Sequence, residues 1–361
     1  MIALSAKMWY DIKNDTRRTC MNHTTALIGM SGGVDSSVAA YLMLRQGYTC
    51  QGATMRLFEN TDEDAAAVCR RLGIPFHVLD NRQIFRDTVM ADFVRCYETG
   101  LTPNPCIVCN RTIKFGMFLE QARSLGCDCV VTGHYARIRQ EKGRYLLCKA
   151  ADRAKDQSYF LYGLTQDQLA HSCFPLGDLT KAEVRQIAEE QGFINAKKGD
   201  SQDICFVPDG DYFAFLQEFT GKSYKNGDFL DLNGKVVGTH HGAVGYTLGQ
   251  RKGLGLAMGA PVYVCGKDME KNTVTVGPNE ALFTAELTAT DWNWIAIPAL
   301  TEPLRCSAKA RSRMTEQPAT VYPLENGLAK VVFDEPQRAI TPGQAVVLYD
   351  RELVLGGGTI I

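Results

Sequence analysis

Three short stretches of this sequence carry residues whose types and spacing suit chemistry. The first is the run SGGVDSS at residues 31–37, which directly follows the apolar residues ALIGM. A strand, a glycine turn and a helix in this order point backbone N–H groups and a helix N-terminus at an anion, most commonly a phosphate. The lysine of a GxxxxGK[ST] loop and the spacing of a GxGxxG fingerprint are both missing. The run therefore predicts a phosphate site of another kind.

The second and third stretches present cysteines in polar surroundings. Cys106 and Cys109 stand in TPNPCIVCNRTIKFG, just before a predicted helix, and Cys205 stands in GDSQDICFVPDGDY. A thiol near a helix N-terminus is shifted toward the thiolate, the form that acts as a nucleophile or a metal ligand. A structural zinc site normally needs four ligands, and Cys205 is the single obvious third one. Nucleophilic chemistry is therefore favoured over zinc.

The pattern around the first stretch predicts an α/β domain. Up to about residue 135, apolar runs alternate with amphipathic ones, as in TALIGM, SSVAAYLMLRQG, YTCQGATM and EDAAAVCRRLG. Such alternation is typical of a parallel sheet with crossover helices. The segments IKFGMFLEQARSLG and TQDQLAHSCF predict further helices, and LTKAEVRQIAEEQG opens on a capping box of Thr180 and Glu183. The glycine run would thus follow a buried strand of this sheet.

The pattern changes beyond about residue 212. Glycines become frequent in NGDFLDLNGKVVG and HHGAVGYTLGQRKGLGLAMGAP, and short β-rich runs such as VYVCG, NTVTVG, AKVVFD and QAVVLYD follow from residue 262 onward. Runs of this kind between turn signals predict a small glycine-rich module and then a β-barrel or β-sandwich. His240 and His241 are expected in a solvated loop.

Composition limits the class of protein. A length of 361 residues allows two or three domains. The sequence has no run of eighteen apolar residues and no basic-then-apolar start, which predicts a cytoplasmic protein without membrane contact. In that reducing compartment most of the 13 cysteines should be buried apolar filler. Five cysteines inside apolar or helical patterns fit this expectation: Cys50, Cys69, Cys127, Cys129 and Cys148.

Two local patches are basic although the formal net charge is only −1. Residues 137–157 carry seven basic and three acidic side chains, and residues 305–313 carry four basic side chains and no acid. A net charge near zero does not itself predict nucleic-acid binding, but concentrated basic faces of this kind suit an RNA backbone.

Six motifs taken together resemble one enzyme family. GMSGGVDSS, NPCIVCNRTIKF, TGHYA, KDQSYFLY, SQDICF and GYTLGQRKGLG occur in this order over nearly the whole chain from residue 24 onward. In this combination the sequence resembles the bacterial tRNA-specific 2-thiouridylases (tRNA-uridine 2-sulfurtransferases) of the ATP-pyrophosphatase, or PP-loop, superfamily. The resemblance implies that ATP, with Mg²⁺, adenylates the C2 oxygen of the wobble uridine of tRNA. Sulfur from an enzyme cysteine persulfide then replaces that oxygen.

The resemblance also implies roles for individual residues. Cys109 and Cys205 would be catalytic, with Cys205 carrying the persulfide, and the two would form a transient disulfide. Asp35 would position Mg²⁺ or the pyrophosphate. The nucleotide would be bound by Gly29, Met30, Ser31, Gly32, Gly33, Val34, Asp35, Ser36, Met55 and Gly133. The target base would face Asn104, Pro105 and Cys106, and tRNA would contact Lys155, Asp156, Gln157, Arg311 and Ser312. His134 would be either a nucleotide contact or a turn residue.

The implied fold is α/β with three parts. Residues 23–212 would form a parallel-sheet ATP-pyrophosphatase domain, residues 213–280 a small central tRNA-binding module, and residues 281–361 a β-barrel. Residues 1–22 would be a disordered extension. The implied partners are the anticodon stem-loop of tRNA, with its target base turned out of the stack, and a sulfur donor, either a cysteine desulfurase or a relay protein.

Three alternatives stay open at this point. The best-known members of the family carry an aspartate, with a role in proton transfer, where this chain has Cys106. Cys106, Cys109 and Cys205 would instead suit a [4Fe–4S] cluster with one open iron. An ATP pyrophosphatase that adenylates a small molecule is a second alternative, although its reaction needs no cysteine pair. An RNA-binding or sulfur-relay protein without catalysis is the third, and the intact SGGVDSS run argues against it.

Overall fold

The computed structural model describes residues 24–58, 62–196, 204–207 and 209–361. The extension expected at residues 1–22 lies outside these ranges. The chain divides into two compact units, and each is described by itself. Unit 1 comprises residues 1–83, 110–200 and 352–354, and unit 2 comprises residues 84–109, 201–351 and 355–361.

Helices and strands alternate through the first half of the chain, and strands dominate the second half. In chain order the α-helices are α1 Val34–Arg45, α2 Asp62–Leu72, α3 Arg82–Phe85, α4 Ala91–Glu98, α5 Pro105–Cys109, α6 Phe118–Ser124, α7 Ser158–Leu161, α8 Gln166–Ala170, α9 Lys181–Glu190 and α10 Tyr212–Thr220. The strands are β1 Thr25–Gly29, β2 Thr49–Arg56, β3 Phe76–Asp80, β4 Cys129–Val131, β5 Ala136–Glu141, β6 Arg144–Lys149, β7 Ser172–Cys173, β8 Gly227–Leu230, β9 Val236–His240, β10 Tyr263–Asp268, β11 Thr273–Gly277, β12 Phe283–Trp294, β13 Leu304–Lys309, β14 Gln317–Pro323, β15 Ala329–Arg338, β16 Ala345–Asp350 and β17 Leu353–Ile360.

Unit 1 is built on a parallel sheet, as the sequence predicts. Its strand order is β3-β2-β1-β4-β7, with β1 in the centre. Ala26, Leu27 and Ile28 of β1 are fully buried, because helices cover both faces of a parallel sheet and leave no polar side. Hairpin β5–β6 also belongs to this unit, where Cys148 pairs with Leu353.

Two local predictions for unit 1 have different outcomes. The capping box is confirmed, since the Thr180 side chain accepts from the backbone N–H of Glu183 and α9 starts there. The single helix predicted over TQDQLAHSCF is wrong in its second half. That helix stops at Ala170, and Ser172 and Cys173 form β7 at the edge of the sheet. A sheet edge offers backbone partners that local helix propensity does not anticipate.

Unit 2 contains two all-β assemblies. A four-stranded sheet of order β10-β11-β8-β9 forms the glycine-rich module, and strands β12-β15-β14-β13-β16-β17 form a barrel that the β12–β17 pairing closes. The expectation for His240 is wrong. His240 ends β9 and is 1 % exposed, and its Nδ1 accepts from the backbone N–H of Gly242 at 3.0 Å. Burial lowers the pKa of its imidazole, so the ring packs as a neutral aromatic group beside Phe229.

The start of β1 is tied to the loop before β4 by one carboxylate. Asp128 Oδ2 accepts from the backbone N–H groups of Thr24 and Thr25 at 2.9 and 3.0 Å, and from the Thr25 hydroxyl at 2.8 Å. These hydrogen bonds hold the pKa of Asp128 well below its usual range. A lowered pKa means that the folded state favours the ionised form, so the stabilisation is present above the unfolded pKa of about 4 and is lost at lower pH.

We expect Asp128→Ala to lower the free energy of unfolding by about 1 kcal/mol at pH 7, since the bonds are charge-assisted but solvent-exposed. The difference from wild type should shrink as the pH falls from 5 toward 2, because the unfolded wild-type chain binds a proton at Asp128 in this range whereas the folded chain does not. Urea denaturation at each pH measures it. A difference that stayed constant or grew on acidification would contradict the role given to the carboxylate.

Candidate active site

The glycine-rich run lies at the carboxyl end of the central strand of unit 1. β1 ends at Gly29, α1 begins at Val34, and Gly32 between them has a φ of +70°. A left-handed φ is costly for a residue with a Cβ, so the turn requires glycine at that position. Since β2 and β4 flank β1 on opposite sides, this edge is the switch point where open parallel sheets bind ligands.

Carbonyl groups of the loop accept hydrogen bonds from side-chain hydroxyls of the protein. The hydroxyls of Ser36 and Ser37 both donate to the Gly33 carbonyl, at 3.1 and 3.0 Å. The Thr54 hydroxyl on β2 donates to the Met30 carbonyl at 2.7 Å. These bonds fix the loop before any ligand arrives, so little ordering entropy remains to be lost on phosphate binding.

A buried amide also holds the loop. Asn195 is 4 % exposed, and its Nδ2 donates to the Gly32 carbonyl at 3.1 Å and to the Ser37 hydroxyl at 3.0 Å. The carbonyl acceptor at Gly32 fixes which end of the amide is the nitrogen. Asn195 therefore holds Gly32, whose left-handed φ favours glycine over any other residue. The sequence analysis did not identify it.

Asp35, in the first turn of α1, is held by two side chains from distant parts of unit 1. Lys181 Nζ lies 2.8 Å from both carboxylate oxygens, and the Tyr135 hydroxyl donates to Oδ1 at 2.9 Å. Lys181 is the first residue of α9, directly after the capping Thr180. A lysine thus stands beside this glycine loop, although the sequence lacks one at the P-loop position.

The turn after β4, which contains Gly133, lies against the first turn of α1. A Cβ at Gly133 would lie 2.8 Å from the Asp35 backbone carbon and 2.9 Å from the Ser36 nitrogen, so only glycine allows this approach. Burial, with a smaller contribution from the charge of Lys114, holds the pKa of His134 well below its usual range. Its Nδ1 pairs with the Thr132 hydroxyl at 2.7 Å. A neutral, internally bonded ring favours the turn-residue alternative for His134.

Met55 lies on β2 beside the end of β1. Its methyl carbon is 3.7 Å from where a Gly29 Cβ would stand. All residues expected to bind the nucleotide therefore lie at the carboxyl edge of β1, β2 and β4 or in the first turn of α1. Their individual contacts with ATP stay a prediction.

Residues 155–157 form the turn beside Tyr135. The Gln157 side-chain oxygen accepts from the Tyr135 N–H at 2.8 Å, and the Gln157 N–H donates to the Tyr135 carbonyl at 2.8 Å. The Asp156 carboxylate accepts from the Ala150 N–H at 2.8 Å and from the Ser158 hydroxyl at 2.7 Å. Asp156 and Gln157 thus shape the turn itself, and Lys155 supplies its positive charge.

The first two candidate cysteines lie within α5 in unit 2. The prediction that they precede a helix is corrected, because the helix already begins at Pro105, where a fixed φ and a missing N–H suit a first helical position. Cys106 is exposed, Cys109 is 6 % exposed, and Asn104 accepts from the Ile107 N–H at 3.1 Å. The helix continues into a π-helical segment, Asn110–Met117.

Cys205 is also in unit 2 and is exposed. The next residue, Phe206, is buried, and its ring packs on Phe85, Phe93 and Phe215 with centroids 5.7, 5.3 and 5.1 Å away. α5 packs against the π-helical turn Arg86–Met90, between α3 and α4. The segments that carry Cys109 and Cys205 therefore rest on one helical stretch that contains Phe85 and Phe93.

The five cysteines that the sequence predicts as apolar filler fit that prediction. All five cysteines named for it are buried. Burial raises the pKa of Cys50 and Cys129 to about 12 and that of Cys69 to about 11, which keeps these thiols protonated and unreactive. Across the described residues, no three His, Cys, Asp or Glu side chains are grouped so that they could hold a metal ion. Cys106, Cys109 and Cys205 therefore do not form a ready ligand set.

Arg311 and Ser312 follow β13 in the barrel. The Arg311 guanidinium donates to the Leu248 carbonyl at 3.1 Å and also to the Thr341 hydroxyl. Arg311 is half-buried, whereas Arg313 is exposed. Arg311 thus already has an internal role, and its contact with tRNA stays a prediction.

Comparison with known proteins decides the family. Residues 24–209 match the family described as "tRNA methyl transferase HUP domain", residues 213–278 match its PRC-barrel domain, and residues 284–360 match an "Aminomethyltransferase beta-barrel domain". The tRNA-specific 2-thiouridylase MnmA of Acetivibrio thermocellus is 49 % identical over 94 % of this chain and 100 % of its own length. The chain belongs to the tRNA-specific 2-thiouridylase family.

A second 2-thiouridylase gives the same result. The protein of this name from Symbiobacterium thermophilum is 50 % identical over 92 % of this chain and 91 % of its own. A 4-thiouridine synthetase solved with RNA and ATP aligns at 15 % identity over 55 % of this chain and 50 % of that one, with a TM-score of 0.34. The three family matches and the full-length relatives confirm the resemblance and the three-part fold predicted from the sequence.

Beside the glycine loop, the structure places three further side chains of this 2-thiouridylase that its motifs do not identify. Tyr135 and Lys181 lie within TGHYA and LTKAEVR, two segments quoted for other reasons, while Asn195 lies in no quoted motif. The capping box at Thr180 was the one local signal, since it places Lys181 at a helix start. In the part of the chain that the structure describes, no helix is both long and apolar enough to cross a membrane.

Proposed function

We propose that this chain is a tRNA-uridine 2-sulfurtransferase. It uses ATP to adenylate the C2 oxygen of the wobble uridine and then replaces that oxygen with sulfur from a cysteine persulfide. The observation that carries the proposal is the full-length match to proteins named tRNA-specific 2-thiouridylases, at 49 % identity over 94 % of this chain. Adenylation of a small molecule is not favoured, since the chain also carries the cysteine stretches.

Unit 1 would bind ATP at the switch point. The loop from Gly29 to Ser36 would hold the phosphates through backbone N–H groups and the start of α1, with Met55 and Gly133 beside the nucleotide. Mg²⁺, when bound with ATP, neutralises phosphate charge, and the Asp35 carboxylate is an oxygen ligand of the type it prefers. Lys181 would stabilise negative charge on the leaving pyrophosphate as the uridine oxygen attacks the α phosphate.

The cysteines of unit 2 would supply sulfur. The terminal sulfur of a Cys205 persulfide attacks C2 of the adenylated uridine, and AMP leaves with the former C2 oxygen. The Cys109 thiolate then attacks the Cys205 sulfur, which breaks the sulfur–sulfur bond and leaves the new sulfur on C2. Cys109 and Cys205 end as a disulfide, so a two-electron reductant must restore them before the next turnover. Asn104, Pro105 and Cys106 would face the base.

Binding of the anticodon stem-loop would use local basic faces, since the net charge is only −1. Lys155 on its turn, and Arg311 and Ser312 in the barrel, are the contacts we expect, with Asp156 and Gln157 shaping the Lys155 turn. The proposal also includes the domain boundaries 23–212, 213–280 and 281–361, a cytoplasmic location and a cysteine desulfurase or relay protein as sulfur donor.

Release of pyrophosphate and AMP from ATP tests the proposal. With an unmodified substrate tRNA and a sulfur donor present, we expect both products to form in step with 2-thiouridine. The control is the same tRNA with cytidine in place of the wobble uridine, which should give neither product. Absence of tRNA-dependent pyrophosphate release would sink the proposal.

A second measurement separates the two sulfur routes. Protein purified anaerobically should contain no stoichiometric iron and no absorbance near 400 nm if the persulfide route operates, since iron–sulfur clusters absorb there through thiolate ligation. Stoichiometric iron that is lost on replacing Cys106 with serine would overturn the persulfide route in favour of the cluster.

A further inference from the structure

The loop that leads to the expected base-facing residues is hydrogen-bonded to a turn of the C-terminal barrel, residues 341–344. This loop, residues 101–104, leads into α5. The Thr102 N–H donates to the Pro342 carbonyl at 2.9 Å. Gln344 Nε2 donates to the Thr102 carbonyl at 2.9 Å and to the Pro103 carbonyl at 3.1 Å. One side chain therefore satisfies two consecutive carbonyls just before Asn104.

The backbone of the turn also presses against the loop. Gly343 has a φ of +88°, and a Cβ there would lie 2.9 Å from Leu101 Cβ, 2.9 Å from the Thr102 nitrogen and 3.0 Å from the Thr102 oxygen. A real Cβ would push on two backbone atoms that cannot rotate away. Only glycine allows the turn and the loop to come this close.

The turn is itself fixed to the barrel. The Gly343 N–H donates to the Ile360 carbonyl, and the Ile360 N–H donates to the Gln344 carbonyl, both at 2.8 Å. Thr341 is 2 % exposed and accepts from the Arg311 guanidinium. The turn thus joins strand β17 and the basic segment after β13 to the loop.

The loop can form few hydrogen bonds within itself. Pro103 and Pro105 have no N–H to donate, so this stretch can form fewer backbone hydrogen bonds of its own than an ordinary loop. Its geometry then depends on partners from elsewhere. Gln344 suits this task because its amide offers two donors to two acceptors.

We propose that Gln344 and Gly343 are positioning residues that set the geometry of the loop before α5. The barrel then has a second role beside RNA contact, since it holds Asn104, Pro105 and Cys106 in register with the base. The part of this inference that concerns the base rests on the proposed function. The contacts of Gln344 and Gly343 with the loop, here called the clamp, do not depend on the proposed function. They can be measured without any substrate.

The first test measures the clamp alone. Cys109 lies at the end of α5 and is 6 % exposed, so iodoacetamide labels it only when the segment opens. We expect Gln344→Leu and Gly343→Ala to raise its labelling rate about fivefold or more, with peptide mass spectrometry identifying the site. Gly327→Ala is the matched control, because Gly327 also has a positive φ, +73°, but a Cβ there meets nothing within 4 Å.

The second test measures catalysis. At saturating tRNA we expect Gln344→Leu to lower kcat for thiolation about tenfold, because small misplacements of reacting groups are costly, while KM for tRNA stays within about twofold. A general loss of stability would instead lower the melting temperature of Gln344→Leu and Gly327→Ala alike. It would not separate kcat from KM.

The outcomes distinguish this inference from the proposed function. Unchanged Cys109 labelling in both Gln344→Leu and Gly343→Ala would overturn the clamp, whatever the chain catalyses. Raised labelling with unchanged kcat would overturn the positioning role. A wild-type chain that fails to thiolate tRNA while the labelling results hold would remove the proposed function and leave the clamp in place.

Discussion

A Cys205→Ser variant is expected to lose at least about 10³-fold in the rate of 2-thiouridine formation, because the serine hydroxyl cannot carry a persulfide. Release of pyrophosphate from ATP should continue when tRNA is added, since the proposed adenylation site lies in unit 1. Quantifying 2-thiouridine in digested tRNA, beside pyrophosphate release, measures both halves of the reaction. Loss of thiolation with retained adenylation would place Cys205 in the sulfur step.

A Cys109→Ser variant is expected to stop at a later step than Cys205→Ser, after the persulfide sulfur has bonded to C2 of the uridine. Without the attacking thiolate, the tRNA would stay joined to Cys205 through sulfur, and a reductant such as dithiothreitol would release it. A gel shift that disappears on reduction detects this adduct.

Cys265→Ser is the control for both variants. Cys265 is half-buried in β10, its thiol donates to the Tyr263 carbonyl at 3.3 Å, and burial raises its pKa. This variant should keep full activity. If Cys109→Ser and Cys205→Ser also kept the full rate of 2-thiouridine formation, the persulfide route would be wrong.

Lys181→Met is expected to lower the rate of tRNA-dependent pyrophosphate release by about 10² to 10³-fold, the usual effect of removing one group that stabilises transition-state charge. Two functions are lost together in this variant. The ammonium group that would face the bound phosphates is removed, and Asp35 loses the ion pair at 2.8 Å that orients its carboxylate. Single-turnover measurement with excess enzyme isolates the adenylation step.

Lys181→Arg and Lys271→Met complete this experiment. Arginine keeps the charge but not the compact geometry, so partial recovery is expected. Lys271 pairs with Asp268 at 3.0 Å but its side chain is 78 % exposed, and its replacement should leave the rate unchanged. If Lys181→Met released pyrophosphate at the wild-type rate, the only role of Lys181 would be to hold the Asp35 carboxylate while no ligand is bound.

The sequence alone was enough to predict the family, the fold class and the phosphate loop. The stretch from Gly29 to Ser37 combines a strand end, a glycine turn and a helix start within nine residues, so the interactions that shape it are local and can be predicted from residue spacing. The capping box at Thr180 was predictable for the same reason. Hydrogen bonds between near neighbours in the chain depend little on tertiary structure.

Predictions from local patterns were wrong where packing between separate elements decides the structure. Ser172 and Cys173 leave the predicted helix because β4 offers them a parallel sheet edge. His240 is buried because Phe229 and Tyr246 enclose its ring. The residues that flank Ser172 and His240 do not encode either outcome, since both depend on packing against other elements of the fold.

Only the tertiary structure identified the residues that surround the phosphate loop and the cysteine loop. Lys181 and Tyr135 meet Asp35 across 146 and 100 residues, and Asn195 meets Gly32 across 163. Gln344 meets Thr102 across 242. A lysine, a tyrosine or an amide has no distinctive sequence context, so its role depends on what the fold places next to it. The sequence by itself predicted ATP chemistry and cysteine chemistry for this protein, and the fold decided which side chains hold the loops concerned in place.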